Sequence, residues 1–198
     1  MLNVQWILAS SSPYRRSLLT RLGHPFDCHS PDIDETAQAG ESPEALVLRL
    51  AIEKARAVAT EYPHALVIGS DQVACYNGAP VGKPGNRHKA ISQLQQFSAK
   101  TITFYTGLAV IDGSTQQVHS TVEPFTVHFR ALTDTQIANY VDTEQPYDCA
   151  GSFKSEGLGI ALFERFDGRD PNALIGLPMM ALCDLLLQAN AYPLNQSP

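Results

Sequence analysis

"TITFYTGLAVIDGST", residues 101–115, is an apolar-rich run of strand length closed by a tight Asp-Gly turn, and a second such run, "EPFTVHFRAL" at 123–132, follows almost at once. Two long strands in immediate succession pair as antiparallel neighbours. Upstream of them the chain alternates. The run at 4–9 reads as a buried strand, Pro13 to Leu22 as a helix stopped by Gly23, and the region near Phe26 as a short strand. Ser42-Pro43, a hydroxyl cap followed by a proline, opens a helix to about Tyr62, and "ALVIGS" at 65–70 is the next buried strand. Alternation in the first half and consecutive strands in the second predict an α/β fold with a mixed sheet flanked by helices.

The remaining elements follow from local signals. "YNGAP" at 76–80 carries the Asn-Gly signature of a hairpin, and residues 87–98 should be helical. Thr133 and Gln136 make a capping box for a helix near 134–142. A Gly-rich segment at 150–159 precedes a strand at "IALFER", and an apolar helix near 177–189 closes the chain. The 198 residues contain no repeat, linker or low-complexity tract, so one domain spanning 1–198 is expected.

Net charge of −6 argues against a broad nucleic-acid surface, and no apolar run approaches membrane-spanning length. The start of the chain lacks the pattern of a signal peptide. Cys28, Cys75, Cys149 and Cys183 are widely spaced, which suits free thiols in a reducing cytoplasm better than disulfides or structural zinc. The six histidines show no metal-ligand spacing, and neither GxGxxG nor GxxxxGK[ST] occurs.

Chemistry gathers at the ends of elements. "ASSSPYRRSLL" at 9–19 puts Arg15 and Arg16 in a helix first turn, where cations are disfavoured unless an anion sits opposite. Backbone N–H groups of that serine-rich start, together with Arg15, suit a polyphosphate; Arg16 should point elsewhere. Lys54 falls on the same helical stripe as Val47, Leu50 and Val58, so it either snorkels to water or enters a cleft holding a compensating negative charge. Asp71 in "LVIGSDQV" is expected just past the end of its strand, where α/β sheets bind ligands. Lys83 in "PVGKPG" sits on a stiff loop, and "DIDET" brings Asp32, Asp34 and Glu35 together. Asp71 with an acidic-loop carboxylate would suit a hard cation alongside phosphate oxygens.

These segments, in the order "ILASSSPYRRSLL", "DIDET", Glu53-Lys54-Ala55, "IGSDQV", "GKP", "FYTGLAV" and "CAGSFKSEGLG", resemble the Maf family of nucleoside triphosphate pyrophosphatases, and within it the YceF-type subfamily. The resemblance covers nearly the whole chain. It implies a Maf/ITPase-like fold of two lobes with a deep cleft, often in a homodimer, that splits a nucleoside triphosphate into monophosphate and pyrophosphate with a divalent cation (Mg2+, Mn2+ or Co2+). By the same resemblance Ser10, Ser12 and Arg15 form the phosphate-binding turn, Glu35, Lys54, Asp71 and Lys83 are the family's other polar active-site positions, and Asp71 matches the residue assigned as proton acceptor. On the chemistry of these residues Lys54 and Lys83 join Arg15 on the phosphates, Glu35 holds the metal, and Asp71 serves as base or as metal ligand. Tyr14, Gln72 and Glu156 match the YceF-type set linked to 7-methyl-GTP, where family members acting on dTTP and UTP carry arginine and threonine at positions 14 and 72. N7-methylated guanine is cationic, so an aromatic face and a carboxylate suit it, and Gln72 can supply an amide. The role expected is removal of modified nucleotides from the pool. The alternatives are a pyrophosphatase for dTTP, UTP or other modified nucleotides, and a nucleotide-binding regulator of cell division with weak hydrolysis.

Overall fold

The computed structural model describes residues 4–195. In chain order the elements are β1 (Trp6–Leu8), α1 (Pro13–Thr20), β2 (Phe26–Cys28), α2 (Pro43–Glu61), β3 (Leu66–Tyr76), β4 (Ala79–Val81), α3 (Arg87–Phe97), β5 (Thr101–Asp112), β6 (Val118–Phe129), α4 (Asp134–Glu144), β7 (Phe163–Asp167), α5 (Asn172–Ile175) and α6 (Met179–Gln188). A short 3-10 turn lies at Ala150–Ser152, and a second at Leu158–Leu162 replaces the first half of the expected 160–165 strand, which begins only at Phe163.

One mixed sheet organises the chain, in the order β2-β1-β3-β5-β6-β7, with β4 on β3. β1 pairs in parallel with β2 and β3, while β3–β5, β5–β6 and β6–β7 are antiparallel. The mixture follows from the connections. β1 reaches its neighbours through helices, which return the chain in the same direction, whereas β5 and β6 are joined by a turn of five residues, which reverses it.

Local chemistry starts the helices. Ser12 Oγ accepts from Arg15 N at 3.3 Å and Ser42 Oγ from Ala45 N at 3.2 Å, with proline at the first position of both helices. The Thr133–Gln136 box is complete in both directions. At the β3–β4 hairpin Asn77 and Gly78 both take positive φ, 49° and 77°, as a two-residue turn between twisted strands requires.

The long strands β3 and β5 run through two lobes. Ala74 and Phe104 belong to an aromatic-rich core with Phe97, Phe125, Phe129, Phe153 and Phe163. Leu66, Ile68, Leu108 and Val110 belong to a second core with Trp6, Leu18 and the apolar face of α6, and α2 covers the other side of the sheet there with Ala51, Ala55 and Val58. Between the cores the same two strands carry Ser70, Asp71, Gln72, Thr106 and Gly107, a polar waist. The expected pair of lobes meets at this waist.

The packing of α2 against the waist is unusually close. A Cβ at Gly69 would collide with the Ala51 carbonyl, and one at Gly107 with the Val47 carbonyl. Both positions lie in extended strand, so glycine is needed there for its lack of a side chain. That approach brings Lys54, one turn beyond Leu50 on the buried face of α2, over β3.

Candidate active site

The cleft is a gap in the sheet. β5 covers one edge of β3 from Leu66 to Cys75. On the other edge β1 pairs only with residues 66–68 and β4 only with residues 74–76. Between them the edge of β3 is open, and a cleft of about 610 Å³ occupies the opening. The β1–α1 turn closes one side with Ala9, Ser10, Ser11 and Ser12, and the end of β4 with the residues after it closes the other with Val81, Gly82 and Lys83.

Asp71 is therefore not past the end of its strand, as its sequence context suggests. It is interior to an eleven-residue strand and pairs with Gly107. The strand that ends is β1, at Leu8, so Asp71 faces the space beyond the carboxyl end of its parallel neighbour. The polar break in the sequence marks a lost neighbour on one edge, because β5 still holds the other.

Side chains alternate along β3, and the alternation divides the site. Asp71 points to the α2 face, where its Oδ1 accepts from Lys54 Nζ at 2.7 Å. Glu35 from the acidic loop reaches the same ammonium at 2.6 Å. Lys54 is thus buried in the cleft between two carboxylates, the second of its two sequence-level alternatives. The bond to Lys54 holds the Glu35 carboxyl below its ordinary range, and Lys83 and Arg15 add to the effect.

Ser70 and Gln72 point the other way, to the end of α5. Ser70 Oγ lies 2.9 Å from both the Gly107 and Gly176 carbonyls. Gln72 Nε2 donates to the Ala173 carbonyl and, at 3.1 Å, to Thr106 Oγ1, which itself donates to Ala173 O at 3.0 Å. The amide nitrogen of Gln72 is engaged in this way, so what it offers a ligand is its carbonyl oxygen, a refinement of the expected amide contact.

Arg15 joins the two faces. Its Nε donates to Gly176 O at 2.8 Å and its Nη1 to Ser10 Oγ at 3.4 Å. Burial lowers the guanidinium pKa, while the Asp71 and Glu35 carboxylates oppose that shift. A guanidinium remains protonated through such a shift, so a cation is fixed at the mouth of the α1 turn. Arg16 is exposed and turned away. Ser12 N donates to Ser10 Oγ at 3.1 Å, which shapes the turn around that charge.

A side chamber of about 130 Å³ adjoins the cleft and shares Ser12, Tyr14, Arg15, Gln72 and Lys83 with it. It adds Cys149, Phe153 and Glu156. All ten site residues expected from the sequence thus line the cleft or its chamber: Ser10, Ser12, Tyr14, Arg15, Glu35, Lys54, Asp71, Gln72 and Lys83 the first, Glu156 the second.

Three further groups have no local signal in the sequence. Arg49 forks onto Glu41 at 2.7 and 2.8 Å, and also reaches Glu53 at 3.0 Å and Thr36 O at 3.1 Å, which pins the loop that presents Glu35. The α5 carbonyls of Ala173 and Gly176 anchor four side chains. Asp148 lines both cavities. The spacing of Arg49 and Glu41 is not helical, α5 is only four residues long, and Asp148 lies just ahead of the "CAGSFKSEGLG" motif, the one signpost available.

Among the described residues no group of three or more His, Cys, Asp or Glu side chains forms a cage for a metal ion, and no helix is long and apolar enough to cross a membrane. Glu35 and Asp71 nonetheless reach one ammonium, so their oxygens lie close together. A hard cation that arrives with phosphate and water takes one or two carboxylates in this way. The donor set fits such a cation.

A family model described as Maf-like protein matches residues 5–189. A curated protein of Colwellia psychrerythraea named 7-methyl-GTP pyrophosphatase is 57% identical over 182 residues, covering 92% of this chain and 91% of its own. A protein of the same name from Vibrio vulnificus is 57% identical over 188 residues, covering 95% and 96%. Among solved structures, that of a HAM1 protein from Coxiella burnetii matches with a TM-score of 0.49 and 16% identity, covering 77% of this chain and 88% of that one.

Proposed function

The chain belongs to the Maf family, and on that premise we propose that its cleft hydrolyses 7-methyl-GTP to 7-methyl-GMP and pyrophosphate. The observation that carries the reading is convergence: Arg15, Lys54, Asp71 and Lys83, from four separate segments, line one opening beside the Ser10–Ser12 turn. Three cations and a run of N–H groups suit a triphosphate. A carboxylate held in place among them suits a proton acceptor.

Water attacks the α-phosphorus in line with the α–β anhydride oxygen. Asp71 accepts the water proton, its carboxylate held on target by the Lys54 ammonium. The P–O bond to the β-phosphate breaks, and pyrophosphate leaves with the bonding pair. Arg15 and Lys83 meet the charge that grows on it, and Arg15 does so without moving because Gly176 O and Ser10 Oγ already fix it. Glu35 and Asp71 would hold a divalent cation such as Mg2+, Mn2+ or Co2+, which when bound supplies neutralisation of the triphosphate. Tyr14, Gln72 and Glu156 take the base.

A panel of 7-methyl-GTP, GTP, dTTP and UTP with pyrophosphate detection tests the reading. The highest kcat/KM is expected for 7-methyl-GTP, with Asp71→Asn lowering turnover by about 10²–10⁴-fold. Preference for dTTP or UTP would overturn the substrate. Tight nucleotide binding without pyrophosphate release, with metal supplied, would replace the enzyme by a binding protein.

A further inference from the structure

The cleft and its chamber carry charges of both signs. Arg15, Lys54 and Lys83 line the main opening with Glu35 and Asp71, Tyr14 and Asp148 line both spaces, and the chamber, which Arg15 and Lys83 also reach, adds Cys149 and Glu156. Asp148 Oδ2 lies 3.5 Å from the Tyr14 hydroxyl, and its Oδ1 accepts from Cys149 Sγ at 3.5 Å. Burial raises the Tyr14 phenol above its ordinary pKa first, and Cys149, Asp148 and Glu156 add to the rise, in keeping with the two carboxylates and the thiol that line the chamber beside it.

We propose that Asp148 is a further specificity-determining residue, whose carboxylate joins Glu156 and the Tyr14 ring to select a base carrying a fixed positive charge. The inference rests on the function proposed above and adds a residue to it. A triphosphate joined to a cationic base is itself a bipolar ligand, negative at one end and positive at the other. The cleft offers groups for both ends, Arg15, Lys54 and Lys83 for the phosphates and the Asp148 and Glu156 carboxylates beside Tyr14 for the base. A neutral guanine gains no charge–charge attraction from the second carboxylate, while an N7-methylated one does. Asp148 is exposed, so the pair is screened by water and salt, and the gain is that of a surface ion pair.

Cations reach the chamber as well, since Arg15 and Lys83 both line it. Arg15 is tied to Gly176 O and Ser10 Oγ, and the nearby Lys154 ammonium donates to the Glu144 carbonyl at 2.8 Å. None of the three makes an ion pair with Asp148, whose contacts are a phenol and a thiol.

The test is the ratio of kcat/KM for 7-methyl-GTP to that for GTP, measured in the wild type, Asp148→Asn and Asp148→Glu, at low and high salt. In Asp148→Asn the ratio is expected to fall about fivefold, through the KM of the methylated nucleotide. Asp148→Glu restores most of it, and added salt narrows the wild-type ratio more than that of Asp148→Asn. A ratio unchanged by Asp148→Asn, in a wild type that prefers the methylated nucleotide, overturns this role and leaves the parent reading standing. A wild type with no preference between the two nucleotides overturns both.

Discussion

Consecutive residues of β3 meet two different kinds of support. On the α2 face, Asp71 is fixed by opposite charge, through Lys54 and with Glu35 as the third member. On the α5 face, Ser70 and Gln72 are fixed by backbone carbonyls, with Thr106 from β5 and Arg15 from α1 on the same two acceptors. Opposite charges hold one another only while each is present and ionised. Carbonyls carry no charge to lose, and they hold their partners at any pH. Asp71, the proposed proton acceptor, thus sits in the adjustable half of the site, and Arg15, proposed to meet phosphate, is braced from the permanent half.

The sharpest way to break this contrast is to remove the shared ammonium. Lys54→Met leaves Asp71 and Glu35 facing each other with no cation between them. Pyrophosphate release should drop by about 10²–10³-fold, the loss expected when one preorganised charged donor goes. A loss below tenfold would show that the α2 face does not depend on Lys54.

The carbonyl half should fail differently. Ser70 is fully buried, and Ser70→Ala removes the one hydroxyl donor shared by Gly107 O and Gly176 O. Urea denaturation should register about 0.5–1.5 kcal/mol of destabilisation, the net worth of one buried hydrogen bond. KM should rise more than kcat falls, because Arg15 shares Gly176 O. Equal changes in both would mean that Ser70 braces the chemistry itself.

Acid separates charge from carbonyl on the loop that carries Glu35. The Arg49 fork lowers the Glu41 carboxyl from 4.5 to about 2. A folded-state value below the unfolded one means that the clamp contributes fully above pH 4.5 and is lost only as pH falls through about 2. NMR titration should place the Glu41 midpoint near 2 in the wild type and return it toward 4.5 in Arg49→Met. A midpoint near 4.5 in both would show that the fork does not hold the loop.

The smallest effect expected lies in the chamber. Burial, then the Asp148 carboxylate, pushes the Cys149 thiol up to about 12. At pH 8 iodoacetamide should modify exposed Cys28 well before Cys149. Rapid labelling of Cys149 under those conditions would mean that the chamber is more open than its lining implies.

The parts of this molecule readable along the chain are those whose cause is within a few residues. Ser12-Pro13, Ser42-Pro43, the Thr133–Gln136 box and the Asn77-Gly78 turn act through hydrogen bonds to neighbours three positions away or less, and each fell where the pattern put it. The burial of Lys54 was legible as an anomaly, a charge on an apolar stripe, but not its resolution. Asp71 was misjudged for a definite reason. A polar residue after an apolar run looks like a strand end, and only the partner β5, some 35 positions along the chain, shows that the strand continues. The Arg49–Glu41 fork, the contact of Asp148 with Tyr14 and the carbonyls at the end of α5 left no local trace, since those partners come from other segments.

By itself the sequence determined most of the secondary elements, the mixed character of the sheet and the set of charged residues near element ends, because propensity, capping and period are short-range properties of the chain. Only the tertiary structure decided that β1 and β4 stop short of each other and open a gap on β3. It alone set Gly69 and Gly107 beneath α2, so that Lys54 meets Asp71, and turned alternate side chains of one strand toward ions on one face and carbonyls on the other. Those are outcomes of packing between distant segments, where the shape of one element limits the position of the next.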